Sequence, residues 1–180
     1  MTFTSPSRVE DLLNFRLNRL LASSGAMVTR LCEGRYGITR REWRMICILA
    51  AQGPLSPSEL AEHAHLERAR VSRHVTDLVS KNLIERLAVD TDKRRARLQL
   101  NQRGRDVFDE LFPLSVAFNN QVLAALTPAQ VAELDTMLAL LMEAADAISR
   151  SHPIPDKADR RHCGSRRQAR PTPPPLPAWW

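Results

Sequence analysis

The sequence predicts a mainly α fold: a winged helix-turn-helix (helices plus a two- to three-stranded β-wing) with long terminal helices forming a dimerisation region. Three observations predict it. Residues 55–81 hold two short helices around a tight turn, the second with one apolar face and one arginine-bearing face. Residues 83–100 read as two strands joined by a basic loop, and long runs of helical apolar spacing flank both segments.

Residues 7–33 carry Val9, Leu12, Leu13, Leu17, Leu20, Leu21, Met27, Val28 and Leu31 at helical spacing, so one helix is expected there. Gly25 weakens it by about 1 kcal/mol against alanine. Gly34 and Gly37 frame a turn around Tyr36, the only tyrosine. Thr39-Arg40-Arg41-Glu42 is a capping box, in which hydroxyl and carboxylate each take an orphan backbone N–H at a helix start. The helix it opens carries Trp43, Ile46, Cys47, Leu49 and Ala50, and Gly53-Pro54 stops it.

Ser56-Pro57-Ser58-Glu59 repeats the box with proline at the first helical position, and Leu60 and Ala61 supply the buried side. The next helix, over about residues 67–81, keeps Val71, Val75, Leu78 and Val79 on one face. Ala69, Arg70, Arg73 and Thr76 fall opposite, with Ser72 at the margin. Arg68 and Arg70 stand in the first turn, where the macrodipole disfavours each cation by about 0.3–1 kcal/mol. A polyanion across that end reverses the sign of the effect.

In the first strand, residues 83–89, Leu83, Leu87 and Val89 are expected to face the core and Arg86 the other side. Ala96, Leu98 and Leu100 alternate with Arg97 and Gln99 in the second. Between them, Asp90-Thr91-Asp92-Lys93-Arg94-Arg95 ends in three consecutive cations, whose self-repulsion suits an anionic partner; a narrow minor groove is the natural place for a tip arginine. Asn101 caps a helix from Gln102 that Pro113 must kink or interrupt. Thr127-Pro128-Ala129-Gln130 opens the last helix, where Val131, Leu134, Leu138, Leu141, Ala145 and Ile148 form a heptad seam suited to pairing with another subunit. From Ser151 the chain is rich in proline and arginine without periodicity, so a disordered tail is expected. The expected division is residues 1–34, an N-terminal dimerisation helix; 35–101, the winged helix-turn-helix; 102–150, C-terminal dimerisation helices; and 151–180, the tail.

The net charge of +6 hides a polarised body. Residues 35–105 hold fifteen basic and eight acidic side chains, whereas residues 106–149 hold seven acidic and no Lys or Arg. The basic middle is therefore expected to confront nucleic acid and the acidic end to stay clear of it. No run of about 18 apolar residues is present to span a membrane. The first residues lack the charged-then-apolar order of a secretory signal. Cys32, Cys47 and Cys163 show no metal-site spacing and suit a reducing cytoplasm. No nucleophile–base pattern, His-Glu-x-x-His or Gly-x-Ser-x-Gly occurs, so an enzyme is not expected. His63 and His65 lie two apart on a helix and do not share a face, so no metal site is expected there.

The order of elements resembles the multiple antibiotic resistance regulator (MarR) family. The likeness is carried by Ile38-Thr39 with Trp43, Gly53-Pro54-Leu55-Ser56, Leu60-Ala61-Glu62, Arg70-Val71-Ser72-Arg73, and Leu78 with Leu83-Ile84-Glu85-Arg86. Asp92-Lys93-Arg94-Arg95, Leu100 and Gly104 continue it, over about residues 10–150. Three positions depart from the pattern. Asn82 replaces the usual glycine but tolerates a left-handed conformation; His74 stands where an apolar residue is general; Asn101 replaces a threonine and caps as well.

The resemblance implies a cytoplasmic homodimer, usually a repressor, on a pseudo-palindromic operator in double-stranded DNA, with no cofactor and no membrane. It places Arg70, Ser72, Arg73 and Thr76 at base edges, with Ala69 against a thymine methyl. Arg68 and the helix end at Ser56 and Ser58 hold phosphates, together with Lys93. Arg94 or Arg95 enters the minor groove and Asp92 orients one of them. It also implies release by a small aromatic, carboxylate or phenolic effector, lined here by Ser24, Met27, Arg30, Trp43, Cys47 and His63. The alternatives are a redox-sensing regulator of the same fold using Cys32 or Cys47, a metal-sensing one, and a protein-interaction module using the Pro-rich tail.

Overall fold

The structure is a computed structural model that describes residues 3–87 and 97–151. A 3-10 turn at Val9–Asp11 precedes α1 (Leu13–Arg35), α2 (Arg40–Gln52), α3 (Pro57–Ala64) and α4 (Arg68–Ser80). Strands β1 (Ile84–Leu87) and β2 (Arg97–Leu100) follow, then α5 (Gln102–Leu123) and α6 (Pro128–Ser151). Residues 1–127 form one compact unit, and α6 lies in a second.

The first helix starts later than its apolar spacing suggests. Asp11, 4% exposed, accepts hydrogen bonds from the Ser7 amide and hydroxyl and pairs with Arg16 at 3.6 Å. Such local side-chain bonding competes with helix, and Leu12 is extended before α1 begins. Both capping boxes form as expected, Thr39 with Glu42 and Ser56 with Glu59. Asn101 caps α5 by accepting from the Gly104 amide at 3.0 Å. Pro113 does not interrupt α5, which runs unbroken across it. The proline is exposed, as is Asp109, whose carbonyl loses its partner there and can be met by water.

The wing is two antiparallel strands, with Ile84 opposite Leu100 and Arg86 opposite Leu98. Leu55 adds a single bridge to Leu98, a rudimentary third strand. The inward phase of β1 differs from the expected one: Leu83 and Ile84 are both buried and Leu87 only partly. The cause is the end of α4. The Leu83 amide bonds back to the Leu78 carbonyl and Asn82 takes φ 54°, a Schellman close that turns the chain just before Leu83 and folds that leucine back onto α4. Asn82 thus holds the left-handed conformation expected of it.

The core gathers Ile46 and Leu49 of α2, Leu60 of α3, Val71, Val75 and Leu78 of α4, Leu98 of β2 and Leu111 of α5, each at most 1% exposed. Burying each such side chain contributes about 1.5–3 kcal/mol. This cluster holds α3 and α4 as a pair against α2 and the strands.

Candidate nucleic-acid interface

The turn between α3 and α4 is closed by His65, at φ 50°, with its amide donating to Glu62 and the Leu66 amide to Ala61. Glu67 then starts α4 without a side-chain cap. Since Val71, Val75 and Leu78 are buried, the opposite face is the free one. Arg68, Ala69, Ser72, Arg73 and Thr76 are exposed on it and Arg70 is partly so. Arg73 makes no hydrogen bond or ion pair among the described residues. Arg70 has a local partner three residues back, Glu67 at 3.6 Å, with both side chains solvated. Thr76 donates to the Ser72 carbonyl. Ser58 is exposed beside them at the start of α3, while Ser56 is partly buried with its hydroxyl already accepting from Glu59. Arg97 of β2 donates to the Pro54 carbonyl at 2.8 Å and stands 3.9 Å from Glu59, tying the wing strand to the start of α3. Asp92, Lys93, Arg94 and Arg95 lie outside the described residues.

Behind the exposed face, the structure adds an anchor. Glu42, 1% exposed, accepts from the Thr39 amide as the α2 cap and from Lys81 Nζ at 2.8 and 2.9 Å. Burial alone would raise its pKa, but the bonds from Lys81 and Thr39 outweigh that and hold it below the usual carboxylate value. Lys81 caps the C-terminal end of α4, so the pair fixes that helix against α2. The capping box marked Glu42 in the sequence; nothing local marked its partner 39 residues on.

The six residues assigned to an effector are spread over different environments. Trp43 is 6% exposed and packs against Phe108, ring centroids 5.9 Å apart, and Phe108 stacks on Phe112 at 5.0 Å. Met27, Arg30 and His63 are exposed, Cys47 is partly buried, and the Ser24 hydroxyl donates to the Leu20 carbonyl of its own helix. No hydrogen bond, ion pair or ring stack joins any two of the six among the described residues. Among the described residues, the arginine–ring contacts are Arg16 over Phe3 and Arg35 over Tyr36.

The thiols are protected. Burial pushes Cys32 up to about 11 and Cys47 up to about 12. Both are therefore protonated and poor nucleophiles near neutral pH. In a Cys163→Ser background, an aromatic disulfide reagent should react slowly with the native protein and fast with both thiols in denaturant. Rapid native reaction would restore the redox alternative.

The elements and their order define a winged helix-turn-helix fold. Residues 36–95 match the sequence profile of the MarR family. The chain is similar to the HTH-type transcriptional regulator FarR of Neisseria gonorrhoeae, 31% identical over 94 residues, which are 51% of this chain and 64% of FarR. It spans about half to two thirds of the length of the curated relatives it matches. In fold it is similar to a MarR/EmrR family transcriptional regulator from Acinetobacter sp. ADP1, with TM-score 0.71, 23% identity, and coverage of 78% of this chain and 99% of that one. It is also similar to NadR, solved in complex with 4-hydroxyphenylacetate, with TM-score 0.62, 24% identity, and coverage of 75% and 96%. Over residues 36–95 the chain is thus similar to the MarR family.

Proposed function

We propose that this protein is a cytoplasmic, homodimeric, sequence-specific DNA-binding transcriptional regulator, a repressor released by a small aromatic carboxylate or phenol, and not an enzyme. The observation that carries the reading is the free face of α4. Its arginines stand in solvent with at most one local acidic partner, on a helix held from behind by the core and by Glu42. Arg70, Ser72, Arg73 and Thr76 read base edges in the major groove, Ala69 meets a thymine methyl, and Arg68 with the Ser58 end of α3 holds phosphates. Lys93, Arg94, Arg95 and Asp92 extend the contact through the wing.

Large apolar side chains left exposed support a dimer. Phe15, Leu17, Leu20 and Leu21 of α1 and Phe112, Leu114 and Val122 of α5 are all more than a third exposed. By itself, α6 has no buried residue, and Leu140, Leu141 and Ile148 are open to solvent. No helix among the described residues is long and apolar enough to cross a membrane. For the effector, the supporting facts are the ligand of NadR and the Trp43–Phe108–Phe112 run of rings.

The test is selection of bound duplexes from a random pool by the full-length protein. An inverted repeat with half-sites about one helical turn apart is expected, bound by two chains, with release by aromatic acids such as 4-hydroxyphenylacetate. Recovery of no preferred sequence would refute the DNA reading; release by no aromatic acid would refute the effector class alone.

A further inference from the structure

We propose that Glu42, His74 and Asp77 form a binding site for a divalent first-row cation of the zinc type, set between α2 and the base of α4. Each offers a donor atom, and the three donors lie within 4.8 Å of one another. His74 and Asp77 are three residues apart on α4 and so share a face. A histidine and a carboxylate at that spacing, completed by a carboxylate from a facing helix, is a recurring arrangement in helical metal centres. Glu42 supplies the facing carboxylate from α2 and is almost fully buried.

Two further observations point to a cation. The Nδ1 atom of the partly buried His74 is itself shielded from solvent and has no hydrogen-bond partner among the described residues. A positive group also already stands at the Glu42 carboxylate: Lys81 Nζ lies 2.8 and 2.9 Å from its two oxygens. Two carboxylates against one ammonium leave the cluster with a deficit of positive charge. A divalent ion in place of the ammonium makes it neutral, and Lys81, with its side chain 34% exposed, has solvent to swing into. Zinc–ligand bonds of about 2.0–2.1 Å require the donors to draw together, which rotation of His74 and Asp77 supplies, and water fills the remaining position. Imidazole with carboxylates suits zinc, cobalt or manganese better than calcium. The site lies at the C-terminal half of the proposed recognition helix, so occupancy would exchange the Lys81 tether for a metal one. It stands independently of the DNA reading, since its readout is metal binding.

The experiment titrates chelator-treated, full-length protein with Co²⁺, followed by visible ligand-field absorption, and then displaces it with Zn²⁺. One Co²⁺ per chain is expected. His74→Leu and Asp77→Asn should each weaken binding by at least about tenfold, since even indirect partners of a metal commonly matter that much. Lys81→Met should tighten it by about tenfold, because the competing ammonium is gone; Lys81→Gln serves if Lys81→Met is poorly folded. Absence of cobalt binding, undiminished binding in His74→Leu, or binding no tighter in the lysine variants would each overturn the proposal.

Discussion

Replacing Lys81 by methionine is expected to destabilise the folded protein by about 2–3 kcal/mol at neutral pH. Removing one partner of a buried ion pair costs about 3–5 kcal/mol because the other charge is stranded, and the solvation of the Lys81 head discounts that figure. The stranded charge is Glu42, 1% exposed. Adding Glu42→Gln should restore most of the loss, since a neutral amide can still cap α2 and needs no ammonium. The pH dependence follows from the lowered pKa of Glu42. In the wild type, the pair's contribution is fully present above the ordinary carboxylate value of 4.5 and is lost as pH falls through the lower folded value. In Lys81→Met only the Thr39 bonds still oppose burial, so the carboxyl's pKa rises relative to the wild type and acidification relieves the stranded charge. The stability gap between the two proteins should therefore narrow as pH falls. Denaturant titrations at several pH values check this, and a gap that widens toward acid would contradict the assignment.

The second large effect is expected at Gly104. A β-carbon added there would overlap the Leu83 carbonyl, which already accepts the Asn101 amide at 3.3 Å. Alanine gains about 1 kcal/mol over glycine in helix propensity. Overpacking against backbone costs about 3 kcal/mol, and here the obstacle is a carbonyl that cannot rotate away. Gly104→Ala should thus lose about 2 kcal/mol and lower Tm by about 4–8 °C. At Gly25 the outcome differs, because the obstructing group is the far end of the Arg40 side chain, which can move. A Tm unchanged or raised in Gly104→Ala would mean that α5 does not begin hard against the turn before β1.

Local chemistry made most of this fold readable. Thr39, Ser56 and Asn101 start their helices through side-chain oxygens that the sequence displays, and the apolar phase of Val71, Val75 and Leu78 fixes which side of α4 is free. Misreadings came where non-local or competing bonds decide. Asp11 drew Ser7 and Arg16 to itself and delayed α1; the Schellman close at Asn82 folded Leu83 inward beside Ile84; Pro113 was absorbed on a solvent-facing side. The same holds for the site. The exposed residues of α4 were legible from periodicity, whereas Lys81 as partner of Glu42, 39 residues away, needed coordinates. The effector residues were the least legible, because an aromatic such as Trp43 serves a core as readily as a ligand.

The most direct measurement of the central claim is the affinity of wild type and Arg73→Ala for a selected operator and for a scrambled duplex at one salt concentration. If α4 reads bases, Arg73→Ala should lose about 1–3 kcal/mol on the operator and much less on the scrambled duplex, so the specificity ratio falls. Equal losses on both duplexes, or none on either, would contradict it.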